Sequence, residues 1–191
     1  MQDINVLVTF CSRTGSTERL ALAAALGSVQ ARAFIRLRWL NVIADDQTVN
    51  ATPGWRENRD RMAKEYVAPR DADFLWADAL VIGMPAAAGV ISPEMNAHLN
   101  SLKALKSAGK LHAKVATAFT VGSTATGHTD PALVALCSAL LELDLILVPP
   151  GPTPNTDAVA SARLQGRRVA EVARALRQTH MATQASASSP A

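Results

Sequence analysis

Cysteine is scarce in this chain. Only Cys11 and Cys137 occur among 191 residues. They are too few for a disulfide framework and too far apart for a zinc motif. Both lie in segments that read as core, which suits a reducing compartment, and the expected location is cytoplasmic. Long apolar runs are lacking as well. No stretch approaches the ~18–20 residues of a membrane span. Asp3 and Asn5 interrupt any secretory apolar segment ahead of the first strand, so neither membrane attachment nor export is expected. Basic runs are missing too. The net charge is +3 and the pI near 9.2, but the arginines are scattered, which argues against a nucleic-acid partner.

What the sequence does have is apolar residues, 49% of the chain, enough to build a sizeable core. They fall into alternating short runs and helical stretches. Ile4–Phe10 reads as a buried parallel strand. Leu20, Ala21, Ala24 and Ala25 follow at helical spacing between Ser16 and Leu26. Further strands are expected at Ala31–Arg38, Ala79–Gly83, Lys114–Thr120 and Leu143–Val148. Helices are expected at Ser92–Leu102, Pro131–Leu141 and Thr156–Arg177. Strand and helix alternating in this way predicts an α/β fold, a doubly wound parallel sheet of five strands with helices on both faces. One domain spans 1–178, with an insertion at 39–71 in which Trp55–Tyr66 reads as a solvated helix. Residues 179–191 are small and polar and read as a disordered tail.

Ligands in such a sheet sit beyond the carboxyl ends of the strands, near the point where strand order reverses. The loops in question read "CSRTGST", "MPAAAG" and "TVGSTATG". All are poor in bulk, so a flat ligand can approach the backbone closely. The first places four hydroxyl residues, Ser12, Thr14, Ser16 and Thr17, around Gly15 at the opening of a helix. Amides and hydroxyls there suit a phosphate without any lysine. The same residues also suit helix capping, and both readings stand at this stage. Neither the Walker Gly-x-x-x-x-Gly-Lys pattern nor Gly-x-Gly-x-x-Gly is present. No Ser/His/Asp set, Gly-x-Ser-x-Gly elbow or metal-ligand spacing is found, so no catalytic side chain is named and no metal is expected.

"VLVTFCSRTGSTERLA" resembles the phosphate loop of the flavodoxin-like family. The likeness extends to the WrbA-type NAD(P)H:quinone oxidoreductases, the multimeric flavodoxins, through "ADFLWADALVIGMPAAAGVISPEMNAHLNSL", "GKLHAKVATAFTVGSTATGHTD", "LILVPPG" and "ASARLQGRRVAEVARAL". It spans residues 3 to about 177. The resemblance implies a flavodoxin-like strand order 2-1-3-4-5 and FMN as cofactor. It also implies NAD(P)H as transient co-substrate, a quinone-like electron acceptor, and assembly as a dimer or tetramer. Residue by residue, it assigns the FMN phosphate to Ser12, Arg13, Thr14, Gly15, Ser16 and Thr17. It assigns one edge of the isoalloxazine to Pro85, Ala86, Ala87, Ala88 and Gly89. Thr120, Val121 and Gly122 take the other edge and the ribityl chain.

The chain also departs from the family. Where members carry "PTRFGN" after the third strand, this sequence reads "PAAAGV", without the arginine and aromatic. Glu142-Leu143-Asp144 stands where a His-His-Gly is common. The expected function is therefore an FMN-dependent oxidoreductase passing two electrons from NAD(P)H to a quinone or similar acceptor. The alternatives are a flavodoxin-type electron carrier and a non-enzymatic member that has lost tight flavin binding. His128 could supply an imidazole or be a plain loop residue. Cys11 reads better as core than as a reactive thiol. Trp55 divides equally between a flavin or subunit contact and packing within the insertion.

Overall fold

Val6, Leu7 and Val8 are wholly buried because β1 (Ile4–Phe10) lies inside a parallel sheet covered on both faces. The computed structural model describes residues 3–41, 43–86, 89–122, 130–149 and 157–187. The other strands are β2 (Ala33–Trp39), β3 (Ala79–Pro85), β4 (Val115–Val121) and β5 (Ile146–Leu147). The five strands lie in the order β2-β1-β3-β4-β5, all neighbours parallel, the order that the family resemblance implies.

The period of two along β1 divides the core. Ile4, Val6, Val8 and Phe10 join one apolar cluster with α1 (Ser16–Gln30) and α8 (Ala158–Ala187). Leu7 and Cys11 join the opposite cluster with α4 (Asp71–Trp76), α5 (Pro93–Ser101), α6 (Lys103–Ser107) and α7 (Pro131–Glu142). Ser92 caps α5 by accepting from the Met95 amide, and Asp130 caps α7 by accepting from the Ala132 amide.

Strand and helix ends shift by a few residues in several elements, and three differences from the sequence reading are larger. The fifth strand keeps only two residues of the expected Leu143–Val148. Leu143 closes α7 instead, Asp144 turns left-handed at φ 66°, and the Leu145 amide reaches back to the Leu140 carbonyl at 3.4 Å. The buried leucines at 143 and 145 thus belong to a helix terminus rather than to a ladder. α8 continues to Ala187, past Arg177 where the sequence reading ends it. Alanine and glutamine, frequent in this stretch, favour helix even where little apolar surface is available.

The third difference bears on function. The insertion folds into α2 (Asp46–Ala51) and α3 (Trp55–Glu65). α3 was expected as a solvated helix, yet Trp55 and Met62 are buried. They share one face with Asn58, at i, i+3 and i+7, and that face packs toward the loop that follows β1.

Candidate functional site at the switch point of the sheet

The chain leaves β1 toward β2 on one side and returns through β3 on the other, so the crevice opens at the carboxyl ends of β1 and β3. Register brings the loops together there. Phe10 pairs with Gly83, and the Cys11 amide donates to the Gly83 carbonyl at 3.1 Å. Met84 pairs with Thr120 and Pro85 with Val121, and the Ala86 amide donates to the Val121 carbonyl at 2.7 Å. Loops 11–16, 85–92 and 121–130 therefore start from adjacent points on one edge.

The first loop is held by its own side chains. The Ser12 hydroxyl oxygen accepts from the Gly15 amide at 3.1 Å, and Ser12 is buried. Gly15 takes the left-handed conformation, φ 89°, at the N-cap of α1, and no side chain caps that helix. Of the two readings left open above, capping is not what the hydroxyls do. Thr14 and Ser16 face solvent, Thr17 is buried, and Arg13 and Gly15 are half-buried. The exposed hydroxyls and the uncapped first turn share one place, and such a terminus attracts an anion.

The remaining expected residues divide. Pro85, Ala86, Gly89, Thr120 and Val121 are half-buried and Gly122 is exposed, all along the same strand ends. Gly89 has φ 78°, and a Cβ built there would meet Pro131 Cβ at 3.2 Å, so Gly89 packs on the start of α7. The Thr120 hydroxyl donates to the Asp130 carboxylate, which also accepts from the Ala132 amide at 3.0 Å. Thr120 is thus engaged within the protein. Ala87, Ala88 and His128 lie outside the described residues. Cys11 is wholly buried with Sγ 3.4 Å from Ser92 Oγ, and burial pushes its thiol up to about 12. It packs in the core, as expected, and burial favours the neutral thiol.

Sequence reasoning missed the second layer of the loop. Asn58 Nδ2 donates to the Arg13 carbonyl at 3.1 Å, and the Arg13 guanidinium lies 5.0 Å above the centre of the Trp55 ring. Arg61 grips Glu18, in the first turn of α1, through both guanidinium nitrogens, Nη1 to Oε1 at 3.0 Å and Nη2 to Oε2. The Tyr66 hydroxyl donates to Glu18 Oε1 at 2.8 Å. Burial alone would raise the Glu18 pKa, but the hydrogen bonds from Arg61 and Tyr66 hold it below the ordinary carboxylate value. The signal lay in the sequence: Trp55, Asn58 and Met62 form one helical face whose only apolar members need a surface to cover.

Among the described residues, no group of three or more His, Cys, Asp or Glu is placed to hold a metal ion. No helix among them is long and apolar enough to cross a membrane.

No protein-family model matches the chain. It is 29% identical over 150 residues to an NAD(P)H dehydrogenase (quinone) of Deinococcus radiodurans, covering 78% of this chain and 74% of that one. A protein of the same name from Archaeoglobus fulgidus is 27% identical over 188 residues, covering 90% and 98%. Among solved structures, the flavodoxin, WrbA-like protein of Agrobacterium tumefaciens superposes with a TM-score of 0.65 at 22% identity, over 90% of this chain and 98% of that one. An archaeal flavodoxin gives 0.58 at 12% identity, over 90% and 99%. The chain has the flavodoxin-like fold, and its distant homologues include proteins named NAD(P)H dehydrogenase (quinone).

Proposed function

We propose that this chain is an FMN-dependent oxidoreductase that passes two electrons from NAD(P)H to a quinone or similar acceptor. The observation that carries the proposal is the loop 12–17, an uncapped helix start with a left-handed glycine and outward hydroxyls, at the switch point of a flavodoxin-like sheet. The residues present fit a phosphate monoester: Thr14 and Ser16 offer hydroxyl donors, and the first turn of α1 offers amides that no side chain takes.

Ser12, Arg13, Thr14, Gly15, Ser16 and Thr17 hold the phosphate in this reading. Pro85–Gly89 and Thr120–Gly122 border the ring and the ribityl chain. When bound, FMN would supply a hydride acceptor for a reduced nicotinamide and a two-electron donor for the quinone-like acceptor. The protein's part is orientation and exclusion of water. Gly15 shapes the phosphate loop, Ser12 fixes it through the Gly15 amide, and the ladder between β3 and β4 sets the separation of the two ring-side loops. No general acid or nucleophile is required of the chain. The distant homologues' name, NAD(P)H dehydrogenase (quinone), supports the same choice of donor and acceptor.

Assembly with further copies belongs to this proposal. α7 carries no charged residue before Glu142 and exposes Val134 and Leu141, apolar surface that suits a second copy. Light scattering of the purified protein distinguishes a dimer or tetramer from a monomer.

The deciding experiment is an absorption spectrum with added FMN. Uptake of FMN, bleaching by NADH or NADPH and recovery on adding a quinone support the proposal. Uptake without bleaching by either nicotinamide leaves an electron carrier. No uptake at micromolar concentrations leaves a flavodoxin-like protein without its flavin.

A further inference from the structure

Glu18 stands in an awkward place for a phosphate site. It is the acidic residue of the first turn of α1, it is buried, and its Oε2 lies 3.8 Å from the position a Cβ on Gly15 would take. A carboxylate there favours the helix dipole but repels an anion seated on the same amides. The surrounding groups answer that charge. Arg61 meets both carboxylate oxygens of Glu18, and Tyr66 adds a third donor.

Arg61 is in turn fixed from its own helix. Its Nη2 donates to Asn58 Oδ1 at 2.7 Å and its Nη1 also meets Glu65 one turn along. Asn58 passes the constraint on to the loop by donating from Nδ2 to the Arg13 carbonyl. Trp55 underlies the Arg13 guanidinium and is 4% exposed. Arg13 Nε and Trp55 Nε1 are buried without a hydrogen-bond partner among the described residues, so the contact between these two side chains rests on ring and cation rather than on hydrogen bonds.

We propose that Arg61 is a positioning residue of the phosphate loop: paired with Glu18 and Asn58, it cancels the acidic charge of the first turn of α1 and ties loop 12–17 to α3. The proposal rests on the reading that this loop takes the phosphate of a phosphate-bearing ligand. α3 is then a working part of the site, a helix outside the loop that decides whether the loop accepts a dianion. Charge cancellation has a signature that mere packing lacks. Removing Arg61 unmasks Glu18, and removing the Glu18 charge as well reverses most of the effect of the first removal.

The test uses the apo-protein titrated with FMN and with riboflavin, which lacks the phosphate, and read by flavin fluorescence. Arg61→Gln is expected to weaken FMN about tenfold or more, the scale of one unscreened charge beside a phosphate. Riboflavin binding changes far less. Adding Glu18→Gln to Arg61→Gln recovers most of the loss, because the amide still accepts from Tyr66 but carries no charge. A double variant as weak as Arg61→Gln, or equal losses for FMN and riboflavin, would overturn the proposal. Where Arg61→Gln fails to fold, Glu18→Gln alone decides: unchanged or tighter FMN binding supports the inference, and weaker binding sinks it. Wild type that binds FMN, with Arg61→Gln equal to it, overturns the inference and leaves the proposed function standing. Wild type that binds neither flavin removes both.

Discussion

Gly166 of α8 lies directly against Ala24 of α1: a Cβ built on Gly166 would stand 1.9 Å from the Ala24 carbonyl oxygen. The contact is reciprocal, since a Cβ on Gly27 would stand 1.8 Å from the Arg163 carbonyl oxygen. Ser28 bridges the two backbones, its hydroxyl 3.0 Å from both the Ala24 and Gly166 carbonyl oxygens. Two helices this close leave no room for a methyl group, and backbone cannot give way as a side-chain tip can. Gly166→Ala or Gly27→Ala is therefore expected to cost about 2–3 kcal/mol or to prevent folding, more than the ordinary gain of alanine in a helix returns. Urea unfolding of each variant measures it. A variant as stable as wild type would show that α1 and α8 are not in this contact.

Loop 12–17 makes a second prediction. At Gly15 the nearest atom to an added Cβ is 3.6 Å away, so space is not the obstacle there. The left-handed backbone is, at about 1–2 kcal/mol for a residue with a Cβ. Ser12→Ala removes the acceptor for the Gly15 amide at a net loss of about 1 kcal/mol. Gly15→Ala and Ser12→Ala should each melt only a few degrees lower than wild type. In FMN titrations both should bind more weakly, and unchanged affinity in both would detach this loop from the ligand.

A third prediction concerns the edge of the sheet. Asp73 is buried and accepts from Arg36 at 3.0 Å and from Arg38 at 2.8 Å, while the Arg36 guanidinium stacks 4.1 Å above the Trp76 ring. Burial raises the Asp73 pKa, but the hydrogen bonds from Arg38, the Arg70 amide and Arg36 outweigh it and hold the carboxyl below its usual value. The two arginines are partly solvated, so the full cost of breaking a buried pair does not apply. Asp73→Asn should lose about 2 kcal/mol, measured by urea unfolding, and loosen α4 from β2. Hydrogen exchange should then speed up at 71–76 before it does in β1.

These variants also mark how far the sequence could be read. Alternation of apolar runs with helical spacing is a strong signal, so the parallel α/β class and a candidate site at the strand ends were legible, whereas the strand order followed from the family resemblance. Loop 12–17 stood out as a candidate because four hydroxyl residues around one glycine are more than a helix needs. Leu143 and Leu145 misled, because an apolar residue beside Asp144 suits a strand and a helix terminus equally, and only the left-handed turn at Asp144 decides. α3 misled for another reason. Its charges look like a solvated face, and nothing local says that Arg61 must meet Glu18, 43 positions earlier in the chain. Gly27 and Gly166 were silent too, since a glycine inside a helix signals close approach without naming what approaches.

The last prediction follows from a buried imidazole. His98 in α5 is 8% exposed and packs against Phe74 with ring centroids 5.3 Å apart, and its Nε2 has no hydrogen-bond partner among the described residues. Burial disfavours the charged ring and pushes its pKa from 6.5 down to about 4. The sign follows from proton counting. Between those values the unfolded chain binds a proton at this site and the folded chain does not, so stability falls as pH falls through the interval. The contribution is complete above pH 6.5, and moving from pH 7 to pH 5 should remove about 2 kcal/mol. Carboxylates such as Asp73 and Glu18, whose folded values lie below the ordinary range, titrate lower in both states and add little above pH 5. His98→Phe keeps an aromatic ring against Phe74 and removes the titration. Urea unfolding at pH 7 and pH 5 should therefore show a loss in the wild type and a nearly flat response in the variant. Equal losses in both proteins would place the pH sensitivity elsewhere.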